Sequence, residues 1–216
     1  MAQVIRAIVL IVTALFPIVN PMGGAPVFLS LTTDSSPAER RYLAWRVALY
    51  SFFMLLGSML IGSHVLALFG VSLPIVQVGG GLVVISVGWA MLKHEDEEER
   101  KEIRRTADAG LPLRKAFYPL TMPLTVGPGS IATAVTLGAN LPHPGGGRLL
   151  IALLEAVVGS LLLALYVFLC YAFADRSGKL LGPAAMNVVT RLSAFLLTCI
   201  GLQIAWNGIA ALIHTL

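Results

Sequence analysis

The chain has 216 residues, 57% of them hydrophobic and 12% charged, with a net charge of +4. An ordinary soluble domain carries about 25% charged residues, and here residues 47–92, 116–147 and 192–216 hold no Lys, Arg, Asp or Glu at all. That excludes a large soluble domain with charged outer faces. It also makes the positive charge a property of loops beside a membrane, not of a nucleic-acid surface.

A bilayer core needs roughly 20 apolar residues per helix. On that basis, hydropathy and turn residues predict six spans. The first, 4–31, contains the stretch "FPIVNPMGGAPVFL" (16–29), with Pro17, Pro21, Pro26, Gly23, Gly24 and Asn20 inside an uncharged run. Proline and glycine are the worst residues for a helix interior, so this span is expected to be broken. The connector "TTDSSPAERR" (32–41) leads to span 2 at 43–63, where Arg46 reads as a side chain reaching back to headgroups. Span 3, 72–92, carries Gln77 and the small residues of "VGGG" (78–81), which suit close helix contact.

The charged stretch "KHEDEEERKEIRRTADAGLPLRK" (93–115) separates two halves, 1–92 and 116–216. Span 4, 116–138, is expected to be broken as well, because "FYPLTMPLTVGPGSIAT" (117–133) repeats the proline and glycine pattern of span 1. Span 5, 149–173, holds Glu155, a candidate for the transport pathway or for proton coupling, since intramembrane carboxylates are costly and often functional. Span 6, 190–213, places Gln203 and Asn207 on one face, either lining the pathway or bonded across one turn. Cys170 and Cys199 sit in apolar runs as small core residues. His64, His94, His143 and His214 form no metal-ligand spacing, so no metal site and no cofactor are expected.

Of the 15 Lys and Arg residues, 13 fall on the side that holds loops 1–2, 3–4 and 5–6; Arg6 and Arg148 fall on the other. The positive-inside rule then puts 93–115 in the cytoplasm and both termini outside. Three spans per half is an odd number, so the halves must run upside down to one another. The expected fold is therefore an all-α polytopic membrane protein: six transmembrane helices as two inverted three-helix repeats, with helices 1 and 4 discontinuous. Inverted repeats with a broken helix in each half mark transporters.

Irregular backbone survives at membrane depth only against protein or a polar cavity. Proline is favoured at a first helical position, which Asn20-Pro21 and Gly127-Pro128 both offer. Free amides of Gly23, Gly24, Gly129 and Ser130 at helix N-termini would attract an anion. Carbonyls ending the preceding half-helices (Ile18, Val19, Thr125, Val126) would attract an ammonium or a cation. A small zwitterion fits both, and the candidate binding set is Asn20, Pro21, Gly23, Gly24, Thr125, Gly127, Gly129 and Ser130. The bland alternative is a pair of proline kinks packed by neighbouring helices.

The segments "NPMGGAPVFLSLT" (20–32) and "PLTVGPGSIAT" (123–133) resemble the paired signatures of the MarC family, whose members include SnatA-type small neutral amino acid transporters. The likeness runs along the chain to "GLQIAWNGI" (201–209). Met22-Gly23-Gly24 stands where a single glycine is usual after Asn-Pro, and "RLSAFLL" opens span 6 where a glycine is common. The resemblance implies a multi-pass protein of a prokaryotic plasma membrane, unwound in spans 1 and 4 around a glycine- or alanine-sized amino acid. With no phosphate-binding loop, energy would come from a gradient, with H+ or Na+ as coupling ion. The alternative is a channel or facilitator for small solutes. An intramembrane serine protease built on Ser130 is disfavoured, since "GPGSI" lacks the glycine after serine of a nucleophile elbow; no enzyme is expected.

Overall fold

The computed structural model describes residues 2–33, 35–93, 116–139 and 148–213. The charged stretch from 94 to 115, the connector 140–147 and the histidines at 94, 143 and 214 lie outside the described residues. Those described are helical, with no strand among them. In chain order they form α1 (Ala2–Val19), α2 (Pro21–Leu31), α3 (Pro37–Leu68), α4 (Leu73–Lys93), a wide turn Ala116–Thr121, α5 (Pro128–Ala139), α6 (Arg148–Ala172) and α7 (Ala174–Ile213).

Among the described residues, five helices are long and apolar enough to cross a membrane, over Ala2–Val19, Pro37–Gly62, Leu73–Ala90, Leu150–Ala172 and Arg191–Ile213. The count differs from the six spans expected. Span 1 divides at Asn20 into α1 and the shorter apolar α2, and the stretch expected as span 4 is the wide turn followed by the 12-residue α5. At 1.5 Å per residue, α5 alone is only about 18 Å long, short of a hydrocarbon core of about 30 Å.

Local chemistry explains the boundaries. Ser36 and Glu39 form a reciprocal capping box at the start of α3, with Pro37 at the first helical position. This favours an earlier start than the expected 43, since both orphan N–H groups are satisfied at once. The helix ends where Gly70 adopts φ 68°, with Gly70 N–H bonded to the Ala67 carbonyl and Val71 N–H to the Leu66 carbonyl. That paired closure needs a left-handed residue, which glycine provides without steric cost. The connector 175–187, expected as a loop, is instead helical and makes α7 a 40-residue helix.

Each long helix carries large apolar side chains outward: Val9 and Leu10 on α1, Phe53 and Ile61 on α3, Leu161 and Leu165 on α6, and Leu202 and Trp206 on α7 are all exposed. Such an outside has its natural solvent in lipid tails. The interior holds one cluster that includes Leu15, Phe28, Val47, Leu55, Leu120, Val126, Leu163 and Tyr171.

The most extensive helix pair is α4 with α7. Glycines make it close: a β-carbon at Gly81 would meet the Gly201 carbonyl oxygen at 2.6 Å, and one at Gly201 would meet the Gly81 oxygen at 2.8 Å. With little hydrophobic driving force between helices in lipid, such backbone approach is what gains dispersion contact. The helix α3 packs on α5 and α6, α6 on α1 and α2, and α4 on α5.

Candidate functional site

At the first irregularity, Asn20 takes φ 38° and ψ 56°. This left-handed conformation costs most residues about 1–2 kcal/mol but suits Asn. Pro21 has no N–H to give to the Pro17 carbonyl, so the helix could not run on unbroken with full bonding. Asn20 closes the gap itself. Its side-chain oxygen accepts from Gly23 N–H at 3.2 Å, and its carbonyl accepts from Gly24 N–H at 3.1 Å. The expected free amides at Gly23 and Gly24 are thus corrected: both are committed to Asn20.

The second irregularity is longer. Tyr118 is extended (φ −122°, ψ 124°), and the bonds Leu124 N–H to Pro119 carbonyl and Val126 N–H to Thr121 carbonyl reach back five residues. Two hydroxyls reach back the same distance: Thr121 Oγ1 donates to the Ala116 carbonyl and Thr125 Oγ1 to the Leu120 carbonyl, each at 2.7 Å. Pro128 then starts α5 as its first residue, and the first backbone bond into that helix is Ile131 N–H to the Gly127 carbonyl at 3.1 Å. Among the described residues, the N–H groups of Gly129 and Ser130 have no backbone acceptor.

The two irregular segments meet around one cavity of about 210 Å³. Asn20, Gly23 and Gly24 line it from the first, and Thr125, Gly127, Gly129 and Ser130 from the second. Pro21 is buried and starts α2 but is not part of the lining. Apolar walls come from α4 (Val83, Val84, Val87) and α7 (Leu197). Drug-sized ligands occupy pockets of about 300–1,000 Å³, so this space suits something smaller.

The polar inventory is short. The Asn20 side-chain amide N–H₂ makes no hydrogen bond to a described residue. Ser130 is 2% exposed, lines the cavity and has no hydrogen-bond partner among the described residues. Thr125 is 1% exposed, and its hydroxyl shares a hydrogen bond with the phenol of Tyr171, 2.9 Å away. Among the described residues no charged side chain lines the cavity. Donors therefore gather at Gly129 and Ser130, where the positive end of the α5 dipole also points. The Leu124 carbonyl, whose helical partner would be the N–H that Pro128 lacks, belongs to the lining beside Thr125.

The remaining candidates lie elsewhere. Glu155, 4% exposed on α6, is outside the lining and pairs with no described cation. Gln203 and Asn207 are exposed on α7 and bond to each other at 2.8 Å. No group of three His, Cys, Asp or Glu side chains among the described residues could hold a metal ion. Sequence reasoning missed the valines of α4, which carry no chemistry, and Tyr171. A phenol inside an otherwise apolar span was the available signal, since a buried Tyr usually finds a partner for its hydroxyl.

Residues 5–213 match the family described as MarC family integral membrane protein. The inner membrane protein MarC of Salmonella typhimurium is 30% identical over 220 residues, covering 100% of this chain and 99% of its own length. Its counterpart from Escherichia coli O1:K1 is 29% identical over 219 residues, with the same coverage. The membrane protein YvbG of Bacillus subtilis is 28% identical over 216 residues, or 97% of each chain. No solved structure matches the chain.

Proposed function

The chain belongs to the MarC family of integral membrane proteins, and from that premise and the cavity we propose that it is a secondary transporter of small neutral amino acids. The observation that carries this reading is the meeting of both irregular segments around one small cavity that has polar groups but, among the described residues, no charged side chain. A zwitterion needs two sites of opposite polarity and no net counter-charge. The Gly129 and Ser130 amides with the Ser130 hydroxyl receive the carboxylate, and the Thr125 oxygen with the Leu124 carbonyl receives the ammonium. Asn20 donates from the first segment. A side chain of glycine or alanine size then faces the valines of α4. The reaction is movement only; no catalytic role is assigned to any residue.

In this reading α1 with α2 forms one discontinuous span and the wide turn with α5 forms another, giving six spans in two inverted halves. The packing pattern supports it. Exchanging the halves turns the α3–α5 contact into α6 against α1 and α2, and α4–α5 into α7–α2, while α3–α6 and α4–α7 map onto themselves. All of these contacts are present. The Gly81–Gly201 approach, reciprocal in its geometry, lies on such a self-paired contact. Alternating access then consists of one half rocking against the other around the fixed cavity. The protein is a multi-pass inner-membrane protein, placed by its positive loops with the 93–115 stretch in the cytoplasm and both termini outside.

The test is uptake and counterflow of labelled glycine and alanine in proteoliposomes, with H+ and Na+ gradients imposed in turn. Saturable uptake accelerated by unlabelled amino acid on the far side is expected. Flux no greater than in protein-free vesicles ends the proposal, and flux that rises without saturation replaces it with a facilitator.

A further inference from the structure

From the contacts of one buried phenol we infer that Tyr171 is the positioning residue that sets the spacing of the two irregular segments and holds the Thr125 oxygen at the cavity. The inference rests on the transporter reading for its consequence but on separate contacts for its geometry. Tyr171 lies on α6, is fully buried, and stands behind the lining instead of within it. Its ring stacks on Phe28 of α2 with centroids 4.5 Å apart and planes at 9°. Its hydroxyl bonds to Thr125 of one irregular segment and stands 2.8 Å from where a β-carbon at Gly24 of the other would lie.

The direction of the Thr125 bond follows from proton counting. A threonine hydroxyl has one proton and two lone pairs. Thr125 donates its proton to the Leu120 carbonyl at 2.7 Å. The Tyr171 hydroxyl, 2.9 Å away, must therefore be the donor of the second bond. Thr125 is left with one lone pair and no proton for the cavity. It can face a ligand's N–H and cannot serve a carboxylate. The proton spent on the Leu120 carbonyl makes the Thr125 oxygen an acceptor, and the Tyr171 proton holds that oxygen in place, whereas the Gly129 and Ser130 amides of the same lining donate.

The Gly24 contact sets the spacing. A β-carbon at Gly24 would lie 2.8 Å from the Tyr171 oxygen, but 3.7 Å from Cζ and 3.8 Å from Cε1. Only the oxygen is in the way; the ring is at ordinary contact distance. While Tyr171 keeps its hydroxyl on Thr125, position 24 must be glycine, and α2 stays close to the turn before α5.

This separation of oxygen from ring gives a four-protein test: wild type, Gly24→Ala, Tyr171→Phe and the double variant. Each is reconstituted for glycine and alanine uptake and also melted in detergent. Tyr171→Phe is expected to raise KM about two- to tenfold, the worth of one hydrogen bond, with Vmax close to wild type. Gly24→Ala is expected to raise KM about tenfold or more, as overpacking against a held group does. In the double variant the cost of the alanine disappears, and KM returns to that of Tyr171→Phe alone. A Gly24→Ala penalty that is the same with Phe at 171, or absent with Tyr there, overturns the inference. Should wild type carry neither amino acid, the transporter reading fails by itself. The melting midpoints of the same four proteins then decide whether the alanine penalty depends on the phenol oxygen.

Discussion

The two irregular segments line one cavity, yet they are built on opposite plans. At the first, a single residue leaves helical geometry, and Asn20 commits the next two glycine amides to its own oxygens. At the second, the chain departs from α-helix from 117 to 127, spends the hydroxyls of Thr121 and Thr125 on carbonyls five residues back, and enters α5 with two amides uncommitted. A segment that satisfies itself can shape a cavity but has little left to bind with. One that leaves donors open, at the end of a helix dipole, can hold a ligand. In the transporter reading proposed above, the first segment is the formed wall and the second the binding edge.

The variant with the largest expected effect strikes the binding edge. A β-carbon at Gly129 would overlap Cγ2 of Val84 on α4, so Gly129→Leu must fill the cavity or push α4 away. Uptake should vanish while the protein still inserts and elutes as a single species in detergent. Measurable saturable uptake by Gly129→Leu would show that the amides of α5 are not where the solute sits.

Next in size is the formed wall. Asn20→Ala loses the cap, worth about 1 kcal/mol, and pays about 1–2 kcal/mol for a left-handed alanine. Asn20→Gly keeps the conformation and loses only a few tenths of a kcal/mol at the cap. Melting should rank wild type, then glycine, then alanine. Equal loss in both variants would mean that the left-handed turn is not what Asn20 supplies.

A smaller contrast lies within the second segment. Thr121→Val removes one hydroxyl bond to a carbonyl and should cost about 1 kcal/mol of stability, while Thr125→Val also strands the buried Tyr171 hydroxyl and should cost more. Only Thr125 lines the cavity, and only its variant should also raise KM for uptake. Identical transport in the two would place the ligand away from that wall.

How far the sequence could show this division is itself instructive. Charge-free runs and paired proline–glycine breaks are properties of single segments, and they foretold the membrane class, the two irregular sites and their shared glycines. The commitment of the Gly23 and Gly24 amides was hidden, because it depends on whether Asn20 turns its side chain back on its own helix or out to a ligand. Tyr171 was hidden for a different reason. Its meaning lies in two contacts with residues far away in sequence, and an apolar span containing a phenol reads the same whether that phenol faces lipid or a cavity wall. The early start of α3 was legible in Ser36, Pro37 and Glu39, but hydropathy places a span where charge ends and so drew it from 43.

The smallest expected effect concerns how the formed wall is fastened to the other half. Arg40, in the first turn of α3, donates from Nη2 to the Thr32 carbonyl at 2.8 Å and from Nε to Thr32 Oγ1 at 3.1 Å. It also pairs with Asp175 in the first turn of α7. Thr32 closes α2 and is 2% exposed, whereas the Asp175 side chain is 48% exposed. An ion pair with one partner so wet is worth about 0.2–1 kcal/mol, and a hydrogen bond from a charged donor, of which Arg40 makes two to Thr32, is worth about 1.5–3 kcal/mol. Asp175→Asn should therefore lower the melting midpoint little and less still in high salt, while Arg40→Ala should lower it clearly more. If the two variants melted together, the ion pair across the halves, and not the clasp on the end of α2, would be what holds the first wall in place.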